Sequence, residues 1–176
     1  MIIQYKSHIL PLLEQNTGAI FHANSGQLNR IDALQLHFLD NINLTETAAS
    51  LDFNLAPLPL RRNIAILGLL YKLSLNTCHA DFQQLFPRAS PNNYHITHNL
   101  RAPRHHLQLT DPLDDTHGDL LHRSIFGMVK EFNRLPQHML HDEPSVSTFQ
   151  SRLTEHARTL AHAHHWQHAY TCRSLY

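Results

Sequence analysis

Glycine, cysteine and net charge are all scarce in this 176-residue sequence. Five glycines fall well below the roughly 7% of an ordinary protein, which disfavours glycine-rich β architectures and favours helices. The cysteines, Cys78 and Cys172, are too few for a disulfide scaffold or a four-cysteine zinc site. Fourteen Lys and Arg balance fourteen Asp and Glu, so no basic field exists at neutral pH and a strong free-standing nucleic-acid binder is disfavoured. Charged residues are only 16% and apolar ones 42%, which argues against intrinsic disorder. Long hydrophobic runs are absent too. The longest, Ile64 to Tyr71, is far short of the roughly 18–20 residues that span a bilayer. The N-terminal Met1-Ile2-Ile3-Gln4-Tyr5-Lys6 lacks the charged start and continuous apolar stretch of a secretion signal. The expectation is an intracellular protein, cytoplasmic or nuclear and not secreted, with no membrane partner.

What the chain has in excess is histidine: seventeen residues, more than Lys and Arg together. With an ordinary imidazole pKa of about 6.5, a chain neutral at pH 7 becomes strongly cationic by pH 5.

The patterning divides the chain into three parts. Residues 1–86 read as helical. From Ser25, taken as an N-cap, Leu28, Ile31, Leu34, Phe38, Leu39 and Ile42 recur at three- and four-residue steps, with Asn29, Arg30, Asp32 and Gln35 opposite. Thr45 caps a short helix through Ala48, Ala49 and Leu51. Pro59 suits the first turn of the next helix, where its missing N–H costs little. That helix is apolar nearly all round, through Leu60, Ile64, Ile66, Leu67, Leu69, Leu70, Tyr71 and Leu73, as expected of a buried core helix, and Gly68 marks a close helix approach. Residues 87–118 are punctuated by Pro87, Pro91, Pro103 and Pro112 and rich in Asn and His, without a sustained period. Leu107 and Leu109 fit one face of a short strand, with Ile96 as a pairing option. Residues 119–176 return to helix. Ser124 is read as the cap of a helix burying Ile125, Met128, Val129 and Phe132, ended by Asn133-Arg134-Leu135-Pro136. Ser145 opens a long helix with a Val146, Phe149, Leu153, Ala157 and Leu160 stripe. The expected fold is mainly α: an irregular helical bundle with a long Pro/His-rich central loop that has room for a short β-hairpin. The last part is expected to pack on the first as one domain.

Two stretches go beyond generic helix patterning. The first runs Leu13-Glu14-Gln15-Asn16-Thr17-Gly18-Ala19-Ile20-Phe21, through Leu28-Asn29-Arg30-Ile31-Asp32-Ala33-Leu34-Gln35, to Ala56-Pro57-Leu58-Pro59-Leu60-Arg61-Arg62-Asn63-Ile64-Ala65-Ile66-Leu67-Gly68. The second is Arg123-Ser124-Ile125-Phe126-Gly127-Met128-Val129-Lys130-Glu131-Phe132-Asn133-Arg134-Leu135-Pro136, followed by Ser145-Val146-Ser147-Thr148-Phe149-Gln150. In order and spacing this resembles the C-terminal region of the reverse transcriptase of LINE-type (non-LTR) retrotransposons, downstream of the palm. The resemblance covers about residues 13–155 and fails in the central loop and the His-rich tail. It implies a helical thumb and tail module of an RNA-directed DNA polymerase, with residues 1–86 thumb-like, the palm of the parent polymerase as a neighbour, and the template–primer duplex as a partner gripped through phosphates.

The polymerase chemistry itself does not carry over. It needs carboxylates holding two metal ions about 4 Å apart, and the family places an aromatic-x-Asp-Asp tip on a β-hairpin. The Asp114-Asp115 pair has neither flanking apolar strands nor an aromatic two positions earlier. There is no Gly-x-Ser-x-Gly elbow, His-Glu-x-x-His pair or glycine-rich phosphate loop either. The expectation is no enzyme in this chain alone, and a fragment that begins after the active site.

Two further constellations remain. Arg61, Arg62, Arg123, Lys130, Arg134 and Arg152 are candidate phosphate contacts, with Arg123, Lys130 and Arg134 at seven- and four-residue spacing. The competing reading is of solvated charges paired with Asp119, Glu131, Asp142 and Glu155. In the tail, His164, His168 and Cys172 fall four apart and would line up on one helical face at zinc-compatible spacing. A single Cys cannot supply the three that the family's zinc knuckle needs, so adventitious zinc is the expected chemistry there and no dedicated cofactor is expected. The rival to the polymerase reading is a free-standing His-rich module for protein interaction or metal binding.

Overall fold

A computed structural model describes residues 1–89, 105–113, 121, 124–140, 145–162 and 170. These residues are mainly helical, as expected. The β-hairpin foreseen in the centre shrinks, among the described residues, to one isolated antiparallel bridge between Arg88 and Leu109, flanked by Ala89 N–H to Gln108 O and Thr110 N–H to Pro87 O. Ile96 lies outside the described residues.

The chain opens with α1 (Ile2–Gln4), a π-helical stretch at Tyr5–Ile9 and α2 (Leu10–Glu14). The widened turn comes just before Pro11, which cannot donate to the Ser7 carbonyl and would clash with it in a regular helix. Next are α3 (Thr17–Ile20), α4 (Ser25–Asn41), α5 (Glu46–Phe53), α6 (Leu58–Ser74) and α7 (Ala80–Leu85). After the central segment come α8 (Met128–Arg134), a 3₁₀ turn at Gln137–Met139 and α9 (Val146–His162).

Capping follows the local sequence with two corrections. Thr45 Oγ1 accepts from Ala48 N–H, and Ser145 opens α9 by accepting from Thr148 N–H, both as foreseen. The cap of α4 is Asn24 rather than Ser25, with Asn24 Oδ1 accepting from Gln27 N–H at 2.9 Å. Ser124 caps no helix. Its Oγ accepts from Phe126 N–H, and three successive i→i−3 bonds carry the chain through a tight turn into α8, which starts at Met128. At the other end of α8, Leu135 is extended because Pro136 follows it.

Packing groups the chain into two compact units: Met1–Ala65 with Thr154–Thr171, and Ile66–Leu153 with Cys172–Tyr176. These limits fall elsewhere than the composition shifts at 87 and 119, and both α6 and α9 give residues to each unit. The first unit is built on Tyr5, Leu10, Leu39, Ala49, Leu55 and Leu58, with Tyr5 and Phe38 stacked at 4.1 Å between ring centroids. Here α4 buries Leu39 and packs Ile31, Phe38 and Ile42 on the core as expected, with one exchange. Leu34 is 53% exposed, whereas Gln35, assigned to the polar side, is 1% exposed and donates Nε2–H to the Ala56 carbonyl. The backbone before α6 presents that carbonyl, and a buried amide satisfies it better than leucine could.

The second unit centres on the C-terminal half of α6. Ile66, Leu67, Leu70, Tyr71 and Leu73 are buried with Phe86, Leu107, Leu109, Phe132, Phe149 and Leu153. Tyr71 stacks on Phe149 at 4.4 Å, and Phe132 meets Phe149 edge-on. Gly68 makes the close approach expected of it. A Cβ there would sit 2.8 Å from Gln150 Cδ and 3.0 Å from Gln150 Cγ. Not all of the central segment is an excursion, because His105, Leu107, Leu109 and Leu113 are buried in this unit.

Candidate nucleic-acid interface

Four of the six candidate cations can be placed by helix and partner. Arg61 and Arg62 lie in the first turns of α6. Adjacent positions on a helix point about 100° apart, so the two forks reach different neighbours. Arg61 takes Glu14 of α2 through both Nε and Nη2. Arg62 takes Asp32 of α4 through Nη1 and Nη2 at 2.7 and 2.8 Å. Both are fork-to-fork pairs, the geometry in which guanidinium and carboxylate bind best. The Arg62 side chain is only 7% exposed, so its charge is committed inside the protein. A phosphate would have to displace a carboxylate from each fork.

The second unit carries the rest. Lys130 and Arg134 are four apart on α8 and share a face. Lys130 Nζ stands 4.0 Å from Asp111, and Arg134 pairs with Glu131 one turn back. Arg152, on α9, is half-buried. Arg123 lies outside the described residues, as do Asp119 and Asp142, two of the carboxylates proposed as partners. Elsewhere on α9, Arg158 pairs with Glu155 and donates Nη2–H to the Leu51 carbonyl at 2.9 Å.

His164, His168 and Cys172 also lie outside the described residues, and so does Asp114-Asp115. Among the described residues no group of three or more His, Cys, Asp or Glu is placed to hold a metal ion, and no helix is long and apolar enough to cross a membrane.

Two features were hidden from sequence reasoning. The first is a shallow cleft of about 430 Å³ lined by Met1, Gln4, Tyr5, His8, Ile9 and Phe38. Its walls offer apolar and aromatic surface and no formally charged side chain for a phosphate. Burial, and secondarily the Glu14 carboxylate, raise the Tyr5 hydroxyl pKa against the opposing Arg61 charge. The second is a polar clasp in the second unit. Asn133 brackets Leu109, its Oδ1 accepting from Leu109 N–H at 2.9 Å and its Nδ2–H donating to Leu109 O at 2.7 Å. Beside it, Gln108 donates to the Asn133 carbonyl and His105 Nε2 to the Phe132 carbonyl. His105 and His106 read as loop histidines in the sequence. In the fold His105 is 3% exposed, while His106 remains exposed and bonds Gln137. Nothing in a His-His pair distinguishes the two, but alternation with Leu107 and Leu109 was a usable signal for which one turns inward.

No known protein family matches the chain, and neither a curated protein nor a solved structure similar to it was found.

Proposed function

We propose that this chain is a non-catalytic thumb and tail module of a LINE-type reverse transcriptase, contributing helical packing beside the palm and at most weak, phosphate-directed contact with RNA or DNA. The reading rests first on the order and spacing of the two motif stretches. It is supported by one observation: polar and small residues of those stretches serve one another. Glu14 and Asp32 take Arg61 and Arg62, and Gly68 of the first stretch makes room for Gln150 of the second. Residues with such internal duties form a scaffold, and a scaffold can persist where catalysis is done elsewhere.

The weak-contact clause follows from charge. Four of the six candidate cations, Arg61, Arg62, Lys130 and Arg134, each face a carboxylate that a phosphate would have to displace before counterions are released from a duplex. The purified chain is tested with a DNA primer annealed to an RNA template, Mg²⁺ and the four deoxynucleotides. The expected result is no extension, and metal-dependent incorporation overturns the reading. A gel shift on the same duplex near physiological salt should give a Kd no tighter than about micromolar. In a zinc titration at pH 7.5, stoichiometric sub-micromolar uptake abolished by His168→Ala would replace this reading with the metal-binding one.

A further inference from the structure

We infer that residues 105–113 form an acid-released clasp on α8, in which protonation of His105 frees the segment from Phe132 and Asn133. The geometry carries this. His105 Nε2 lies 2.9 Å from the Phe132 carbonyl, which can only accept, so Nε2 carries the hydrogen and Nδ1 is the bare nitrogen of a neutral ring. That Nδ1 is buried and has no hydrogen-bond partner among the described residues. The ring also stands edge-on to Phe132, with centroids 5.3 Å apart. A second proton would therefore create a charge with no acceptor, in a site walled by Phe132 and by a segment whose Leu107 and Leu109 are buried.

Among the described residues, the charged groups around the site give no compensation. On α8, Glu131 is held by Arg134 and Lys130 stands against Asp111 of the clasp. His106, alongside, disfavours a charge on His105 by like-charge repulsion. Burial and that repulsion together hold the His105 pKa below its ordinary value, against the opposing bond to the Phe132 carbonyl. The released segment should titrate near the ordinary 6.5, so the closed form binds fewer protons than the open one. Closure is then fully favoured above about pH 6.5 and weakens as pH falls from there toward the lowered folded value.

The clasp is read from amide hydrogen exchange at Leu109, whose N–H lies in the Asn133 bracket. Corrected for intrinsic exchange, its protection should fall between pH 7 and pH 5, by no more than about 25-fold, the ceiling set by an open-state pKa near 6.5. His105→Gln, whose amide can keep the donor to Phe132 O without titrating, should make the profile flat. His106→Gln should keep a pH-dependent profile, shallower than the wild type's because the like charge beside His105 is gone. Wild-type protection that is flat with pH overturns the clasp, as does a His105→Gln variant that keeps the wild-type slope. If His105→Gln does not fold, the ring titration of His105 in the wild type decides by NMR. A midpoint below 6.5 supports the clasp, and one at or above it overturns it.

Discussion

At Asn43, Asn54 and Asn76 the backbone is left-handed, with φ of 52°, 50° and 55°, and none of the described glycines has a positive φ. These asparagines stand just past the ends of α4, α5 and α6. Leu44 N–H then reaches back to Leu39 O, and Thr77 N–H to Lys72 O, in the pattern that satisfies the last carbonyls of a helix. Asparagine tolerates this conformation better than other residues with a Cβ, and so substitutes for glycine in a glycine-poor chain. Asn76→Gly should raise stability by a few tenths of a kcal/mol and Asn76→Ala lower it by about 1 kcal/mol, measured by urea denaturation. Asn133 shows the same economy. Asn133→Ala removes both bonds to Leu109 and leaves two backbone groups unmatched, an expected loss of about 2 kcal/mol by the same method. Glu46 is the converse case. Burial, then the nearby Asp32 charge, raise its carboxyl pKa, so its ionised form is disfavoured in the fold. Its contribution is greatest below the ordinary carboxylate range and is lost as pH rises through the raised value, so Glu46→Gln should raise the Tm at pH 7 and lose that advantage near pH 4.

Between elements, two ion pairs and one steric contact decide how α6 is held. In the first unit its opening turns are tied to α2 by Arg61–Glu14 and to α4 by Arg62–Asp32. Because Arg62 is the buried member, removing its partner strands a desolvated charge, whereas replacing the arginine leaves a better-solvated carboxylate. Asp32→Ala should therefore cost about 3 kcal/mol, more than Arg62→Met, in calorimetry of the two variants. In the second unit the contact is steric. Gly68→Ala gains roughly 1 kcal/mol of helix propensity but forces the Gln150 side chain aside, so its net effect should be small. Combined with Gln150→Ala the obstacle is gone, and the same substitution should then stabilise by about 1 kcal/mol. The double-mutant cycle measures that difference.

For the molecule as a whole, histidine is the variable charge. Formal net charge is zero at pH 7 with neutral imidazoles, and full protonation of the seventeen would bring it toward +17. Any contact with nucleic acid should then strengthen between pH 7.5 and pH 5 and become more salt-sensitive. A gel shift across that range, repeated at two salt concentrations, checks this. The same charging adds self-repulsion, so an affinity gain should be accompanied by a falling Tm.

The sequence by itself determined the helical class, the position of α6 and α9, and the caps at Thr45 and Ser145, because these depend on interactions within one or two turns. Thr45, Pro59 and Ser145 act through neighbours three or four positions away, and an all-round apolar run such as Leu60–Leu73 has few other ways to leave water. Gly68 was readable for a related reason, since a glycine inside a strong helix is costly unless something lies close to it. Only the tertiary structure decided the partners. Asp32 and Gln35 looked like one solvated face of α4, yet Asp32 holds Arg62 thirty residues on and Gln35 is buried beneath Ala56. Arg61 and Arg62 looked available for phosphate until the fold set carboxylates in both forks. His105 and His106 are adjacent and chemically identical; alternation with Leu107 and Leu109 points to His105 as the inward one, but only the fold supplies Phe132 as its neighbour. Pairings across such separations depend on how helices are brought together, and a local period contains no record of that.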